Sequence, residues 1–399
     1  MKKIVFYCQY LTGMGHLVRS MEIVRSLVKE FKVYFINGGP RVEGFKVPAG
    51  VEVINLPALW LEDGKFQIAD GCQSVEEVKE IRKNQLIDIC DRIQPDCLIT
   101  EFFPFGRHKL FFELLPLLEY VDTNLPNTKI VCSLRDVIGR ETLSEEADII
   151  CQLINQYFDL ILFHSDPNFL TFEASFPRYQ ELKCQIEYTG FVAQTTLGNV
   201  TSFDNSLTKN QKKEPLILVS VGGGRLGYEL LESVIEASKI LENKIPHHIQ
   251  IFTGPFMPDE QFVKLEAAAL NRGNVNLQRY TPQLLSYMER SDLSISLTGY
   301  NTTMNILRTG VRAIVVPIGH YDQDLEQLVR TRKLEQMGIV EVIHPNNLEP
   351  IYLAHRIIAC LEKEPVENTS HIFDLEGAWK STTFLKQYLD CDVNATFAA

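Results

Sequence analysis

The sequence predicts an α/β protein made of two doubly wound domains in tandem, and three observations lead there. Short runs rich in β-branched and aromatic residues recur along all 399 residues, each followed by a longer stretch with helical spacing. A polar segment, "TTLGNVTSFDNSLTKNQKKEP", parts the chain near its middle and reads as a linker. Beyond it, "LILVSVGGGRLGYELLESVIEAS" restarts the order of strand, glycine turn and helix found at the beginning. A chain this long also exceeds what one compact core supports.

Taken in order, the first-half strands are "IVFYC", "KVYFI", "VEVINL", "CLIT", "KIVCSL" and "LILFHS". The second-half strands are "LILVSV", "IQIFTG", "VNLQRY", "LSISL", "AIVVP" and "VEVI". Continuous apolar strands alternating with helices imply parallel sheets covered on both faces. The expected boundaries are 1–192 for the first domain, 193–214 for the linker and 215–375 for the second domain. A helix and tail at 376–399 complete the chain, with "GAWKSTTFLKQYL" as the amphipathic helix.

Composition narrows the function. With 39 basic against 51 acidic residues, a formal charge of −12, there is no general pull toward nucleic acid or anionic lipid. Nine scattered cysteines without a C-x-x-C pair argue against a disulfide framework or a zinc site and for reduced thiols. The opening apolar run is too short for an export signal, and no stretch nears the ~20 apolar residues of a membrane span. A cytoplasmic protein is expected, without predicted membrane contact.

Ligands of doubly wound sheets sit beyond the carboxyl ends of the strands, and the informative residues fall there. In "TGMGHLVRS", Gly13 and Gly15 permit a tight turn, and His16 opens the helix with Arg19 a turn later. The third glycine of a dinucleotide fingerprint is missing, so a nicotinamide or flavin cofactor is disfavoured and none is expected. A histidine at a helix N-terminus is held neutral, as a general base must be; a local helix cap is the plainer alternative. Glu101 ends "CLIT" and either assists as a base or caps the next helix. Arg107, Arg135 and Asp136 also follow strands. Arginine beside aspartate usually means a structural ion pair, though Arg107 stays among the acceptor-side residues with Gly13, Gly15 and Arg19. His164 and Asp166, after "LILF", either reach the interdomain cleft or open a helix at "SDP", while "FFPFG" and "KLFFELLPLL" read as core rather than as an apolar acceptor groove or a membrane-touching face.

In the second half, Gly222, Gly223 and Gly224 bare backbone N–H groups suited to phosphate oxygens, with Arg225 adding charge. No Walker lysine follows. Thr298 and Gly299 end a strand, and Asn301, Thr302 and Thr303 offer caps for a helix stopping at Gly310. A polar loop with His320, Asp322 and Gln323 precedes a helix beginning near Glu326 and Gln327.

In this order "TGMGHLVRS", "SVGGG", "TGYNTTMNILRTGVRAIVVP" and the "DQ"/"EQ" loop resemble the GT-B-fold glycosyltransferases, close to the lipid-II-forming peptidoglycan N-acetylglucosaminyltransferases and their relatives. The resemblance implies two Rossmann-like domains facing a central cleft, with the C-terminal helix packing back on the first. It implies a sugar donor of nucleoside-diphosphate type, a UDP-sugar foremost, and inverting, metal-independent transfer to a hydroxyl acceptor of unknown identity. His16 then deprotonates the acceptor, Gly222 to Gly224 lie on the diphosphate side, and Gly299, Asn301, Thr302 and Thr303 receive donor phosphate. Asn305 stands where the family usually has a ribose-binding glutamate. The sugar-contacting pair is Asp322-Gln323 or Glu326-Gln327 according to register; in the second, Arg330 replaces the usual asparagine. A nucleotide-sugar hydrolase or epimerase, or a non-catalytic sugar-nucleotide binder, fits the same architecture.

Overall fold

The computed structural model describes residues 1–11, 13–62, 64–69, 74–137, 144–196, 214–270, 272–317, 325–363 and 372–395. The chain forms two compact units: Met1–Arg41 with Lys46–Ala193 and Phe373–Ala399, and Val42–Phe45 with Gln194–Ile372.

The first unit runs β1 (Lys3–Cys8), α1 (Gly15–Leu27), β2 (Lys32–Asn37), β3 (Glu52–Asn55), β4 (Leu59–Glu62), β5 (Lys65–Ile68), α2 (Val75–Ile93) and β6 (Cys97–Glu101). It continues with α3 (Phe111–Asn124), β7 (Lys129–Arg135), α4 (Ser144–Tyr157), β8 (Leu160–His164), α5 (Phe172–Ser175) and β9 (Gln185–Tyr188). Seven strands form a sheet in the order β3-β2-β1-β6-β7-β8-β9, with every pairing parallel. β1 and β6 are buried along nearly their whole length, which explains their unbroken apolar runs. Val5, Leu98, Ile161 and the α3 leucines Leu114, Leu117 and Leu118 share one core. Phe102, Phe103 and Phe105 are buried in the same core, as "FFPFG" suggested.

Two features escape the apolar-run pattern. β4 and β5 form a separate antiparallel hairpin, pairing Leu59↔Ile68 to Glu62↔Lys65. β9 is an edge strand of mixed sequence, QIEY, paired only with β8 and so lacking an apolar run. Asp166 does not start a helix. Its carboxylate accepts from the Asn168 N–H and, through Oδ2, from the Asp374 N–H at 2.8 Å, so it holds the returning chain.

The second unit runs β10 (Leu216–Ser220), α6 (Tyr228–Glu242), β11 (His248–Phe252), α7 (Asp259–Ala269), β12 (Val275–Gln278), α8 (Leu284–Arg290) and β13 (Leu293–Leu297). Then follow α9 (Tyr300–Thr309), β14 (Ala313–Val316), α10 (Leu325–Gln336), β15 (Glu341–Val342) and α11 (Pro350–Glu362). Its six parallel strands take the order β12-β11-β10-β13-β14-β15. Ile217, Val219, Ile249, Ile251, Leu293 and Ile295 form the sheet side of a second core.

The last helix, α12 (Gly377–Ala395), returns to the first unit and packs on α1. Leu385 and Leu389 are buried there, and Thr382 Oγ1 donates to Ser26 Oγ at 2.8 Å. Gly377 has no side chain because a Cβ would lie 2.4 Å from the Gly190 carbonyl oxygen. No described helix is long and apolar enough to cross a membrane.

Candidate functional site

Each strand order has one place where connections turn from one direction to the other, and there the loops diverge to leave a crevice. In the first unit it lies between β1 and β6. In the second it lies between β10 and β13. Of the sequence-predicted residues among those described, His16, Arg19, Glu101 and Arg107 gather at the first, and Gly222 to Gly224, Thr298 and Gly299 follow the strands that flank the second.

At the first, the loop after β1 leads into α1 with His16 in its first turn, while Glu101 is the last residue of β6. His16 Nδ1 lies 2.7 Å from Glu101 Oε1, and Arg19 Nη2 meets the same oxygen. Arg107 Nη2 is 3.8 Å from Glu101 Oε2. The Glu101 side chain is fully buried and that of His16 is 14% exposed. Burial alone would push the Glu101 carboxyl up, yet His16, Arg19 and Arg107 hold it well below the usual carboxylate range. An ionised carboxylate only accepts, so Nδ1 carries the proton and Nε2 keeps the lone pair. His16 is itself driven well below its ordinary value, first by burial and then by Arg107, with Glu101 opposing. Glu101 is thus neither a helix cap nor a base open to solvent; it is the carboxylate that orients His16.

Phe102 ties the surroundings together and was not singled out from the sequence. The His16 ring meets it edge-on with centroids 5.9 Å apart, and the Arg135 and Arg107 guanidinium carbons sit 4.8 and 5.9 Å from its centroid. Arg107 and Arg135 therefore share this centre, whereas Asp136 is fully buried. Gly13 borders open space: a Cβ there would meet nothing within 4 Å. Gly15 opens α1 at an exposed position. His164 lies elsewhere, fully buried between Ser133 Oγ at 2.8 Å and Thr189 Oγ1 at 2.7 Å, a satisfied core histidine.

The second switch point is built of backbone. Ser220 of β10 pairs with Ser296 of β13, so Gly222 and Thr298 each lie two residues beyond the same rung. Gly222 and Gly224 have φ of 67° and 90°, which glycine tolerates best. A Cβ on Gly224 would sit 2.3 Å from the Thr253 carbonyl oxygen, and one on Gly254 would sit 2.4 Å from the Gly224 nitrogen. The triple glycine therefore packs backbone against the Thr253–Met257 loop, fixed by the Phe256 N–H donating to the Gly223 carbonyl at 2.9 Å. It does not itself begin a helix: Gly227 caps α6, and Arg225 lies over the Phe256 ring at 5.4 Å.

Gly299 is the N-cap of α9, in extended backbone and with no side chain capping the helix. Asn301, Thr302 and Thr303 thus occupy the first turn rather than the cap. Thr303 Oγ1 donates to the Gly299 carbonyl at 3.0 Å. With no capping side chain, the first-turn N–H groups suit an anion. Beside both Gly222 and Gly299 a Cβ would meet nothing within 4 Å, so there is room for one. Thr298 Oγ1 is buried without a hydrogen-bond partner. Asn305 is buried too; Nδ2 donates to Gln194 Oε1 at 2.6 Å and Oδ1 is left without a partner. Gln194, unmarked in the sequence, is thereby part of this site. Gln327 lies in the first turn of α10. Asp322, Gln323, His320 and the Glu326 side chain lie outside the described residues.

Residues 217–377 match the glycosyltransferase family 28 C-terminal domain. Among solved structures the chain is similar to TcCGT1 in complex with UDP, with a TM-score of 0.65 at 12% identity, covering 98% of this chain and 99% of that one. It is similar to CalG4, the calicheamicin glycosyltransferase, with a TM-score of 0.59 at 14% identity over 99% and 98% of the two chains. MurG of Acinetobacter baumannii aligns with a TM-score of 0.56 at 12% identity over 97% and 100%. No curated protein matches the chain significantly. Similarity at such identities establishes the fold, and that fold is GT-B. With the family 28 C-terminal domain in its second unit, the chain is a glycosyltransferase.

Proposed function

We propose that the protein transfers a sugar from a UDP-sugar to a hydroxyl acceptor with inversion at the anomeric carbon. His16 Nε2 takes the acceptor proton as the oxygen attacks, and Glu101 holds the imidazole in the required tautomer and stabilises the imidazolium that forms. The bond from the anomeric carbon to the diphosphate oxygen breaks as the new glycosidic bond forms. The charge left on the diphosphate is received by N–H groups of the Gly222–Gly224 turn and the α9 N-terminus, with Thr298 and Thr302 beside them. Asn305 and Gln194 take the place of a carboxylate toward the ribose, and the start of α10, with Gln327, is turned toward the sugar. Amide stabilisation of this kind performs the charge neutralisation that a divalent ion otherwise supplies.

The observation that carries the reading is the 2.7 Å contact between His16 Nδ1 and a buried, ionised carboxylate at the switch point of the first sheet. The test is to incubate the purified protein with a panel of UDP-sugars, with and without hydroxyl acceptors, following products by mass spectrometry and anomeric configuration by NMR. Acceptor-dependent product of inverted configuration is expected. Free sugar without acceptor would make it a hydrolase, an altered sugar an epimerase, and tight UDP binding without turnover a sensor.

A further inference from the structure

Phe102 follows Glu101, the last residue of β6, and is held in a backbone conformation that its type avoids. Its φ is 66°, in the left-handed region, where a non-glycine residue persists only if its surroundings over-determine it. Here they do. The Phe102 N–H donates to the Ser133 carbonyl at 2.9 Å, and Gly106 closes on the ring so tightly that a Cβ there would lie 2.6 Å from it. Core filling alone does not call for this backbone, since Phe103 and Phe105 enter the same core without a positive φ.

What the conformation sets is the direction of one ring. The His16 imidazole meets it edge-on, with centroids 5.9 Å apart and an interplanar angle of 63°. The Arg135 and Arg107 guanidinium carbons lie 4.8 and 5.9 Å from its centroid, within the range of a cation–π contact. Two guanidinium groups beside one ring repel each other. Burial and then Arg135 hold the Arg107 group below its ordinary value, with Glu101 opposing. The electron-rich ring gives both a seat against that repulsion.

The charged and titratable groups around His16 come from four elements. They are Arg19 on its own helix, Glu101 ending β6 with Arg107 beyond it, and Arg135 ending β7 with Asp136 next. Cys8 ends β1, and burial pushes its thiol far up, so it stays neutral. Burial opposes protonation of the imidazole most, and Arg107 and Arg135 add to it. Phe102 touches all three partners of that effect.

We infer that Phe102 is a positioning residue: its ring walls off one side of the His16 imidazole, seats Arg107 and Arg135 beside it, and so governs how readily the base takes a proton. This rests on the reading of His16 as the acceptor's base.

The test is an NMR titration of the His16 imidazole, assigned with His16→Gln, in wild type, Phe102→Leu and Phe102→Tyr. Leucine keeps apolar bulk without a ring face, whereas tyrosine keeps the face. Phe102→Leu should raise the apparent pKa of His16 by about one unit, and Phe102→Tyr should leave it within about 0.3 of wild type. The deficit of Phe102→Leu in kcat/KM should also widen as pH falls, because a more basic imidazole is protonated sooner. A residue that only fills the core would give a deficit equal at every pH. Should Phe102→Leu not fold, Phe102→Gly removes the ring and relieves the left-handed strain, and the same rise is expected of it. A ringless variant whose His16 titrates like wild type, or leucine and tyrosine variants that move His16 alike, overturns the inference. Transfer that survives loss of His16 would instead overturn the base assignment and leave the titration result standing.

Discussion

The two switch points occupy the same place in sheets of the same design, yet they are furnished differently. Between β1 and β6 the chain gathers ionisable side chains: the His16 imidazole with the Glu101 carboxylate and the Arg19 guanidinium, and the Arg107 and Arg135 guanidinium groups over one phenylalanine ring. Between β10 and β13 it strips side chains away, leaving glycine turns packed backbone to backbone and an uncapped helix end. Moving a proton requires a group whose charge can change, and that group must be tuned by its neighbours. Holding a diphosphate requires many fixed donors and room for bulky oxygens. On the function proposed above, one fold would serve both chemistries by varying what lies beyond its strand ends.

The largest effect that would break this comparison is at Glu101. Glu101→Ala leaves Arg19 and Arg107 buried without their carboxylate, and thermal or denaturant unfolding should show a loss of about 3–5 kcal/mol. Glu113 is the control. It is fully buried against Arg82, with Nε to Oε2 at 2.8 Å, but away from His16. Glu113→Ala should cost similar stability while the folded fraction keeps its transfer rate. Equal loss of rate in both variants would remove the distinction between the Glu101 centre and ordinary core.

Leu385→Ala, which opens a cavity under α12, should cost about 2–5 kcal/mol in the same unfolding measurement and leave UDP affinity of the folded protein unchanged. At the other switch point, Gly224→Ala forces a Cβ against the Thr253 carbonyl at a φ of 90°. A loss of about 1–3 kcal/mol is expected, together with at least tenfold weaker UDP binding by calorimetry. Unchanged affinity would sever the glycine turn from the donor.

The smallest effect concerns pH. Because burial, with Arg107 beside it, holds His16 well below its ordinary value of 6.5, the acid limb of kcat/KM should fall below pH 6.5 rather than at it. The same sign governs stability. A depressed histidine contributes fully above about pH 6.5, and its contribution is lost as acid protonates the unfolded chain first. For Glu101 the corresponding loss begins as pH falls through 4.5. A titration curve with stability rising toward acid would contradict both assignments.

Much of this was legible in the amino-acid sequence. Parallel strands announce themselves as continuous apolar runs, and the switch-point loops as glycine turns after them. The hairpin at Leu59–Ile68 and the edge strand at Gln185–Tyr188 were not, because neither is buried on both faces. The link between His16 and Glu101 could only be surmised, since 85 residues separate them and only the strand order makes β1 and β6 neighbours. Phe102 looked like core and is core, but its ring also seats two arginines. Gln194 gave no signal at all, because its role depends on a carboxamide 111 residues away.

The most direct trial of the account is to compare His16→Ala with wild type on one UDP-sugar and one acceptor, measuring both transfer rate and UDP affinity. The rate should fall by about 10² or more while the UDP dissociation constant stays within twofold, because the base and the donor turn belong to different sheets. A variant that keeps most of its transfer rate would contradict the assignment of the base.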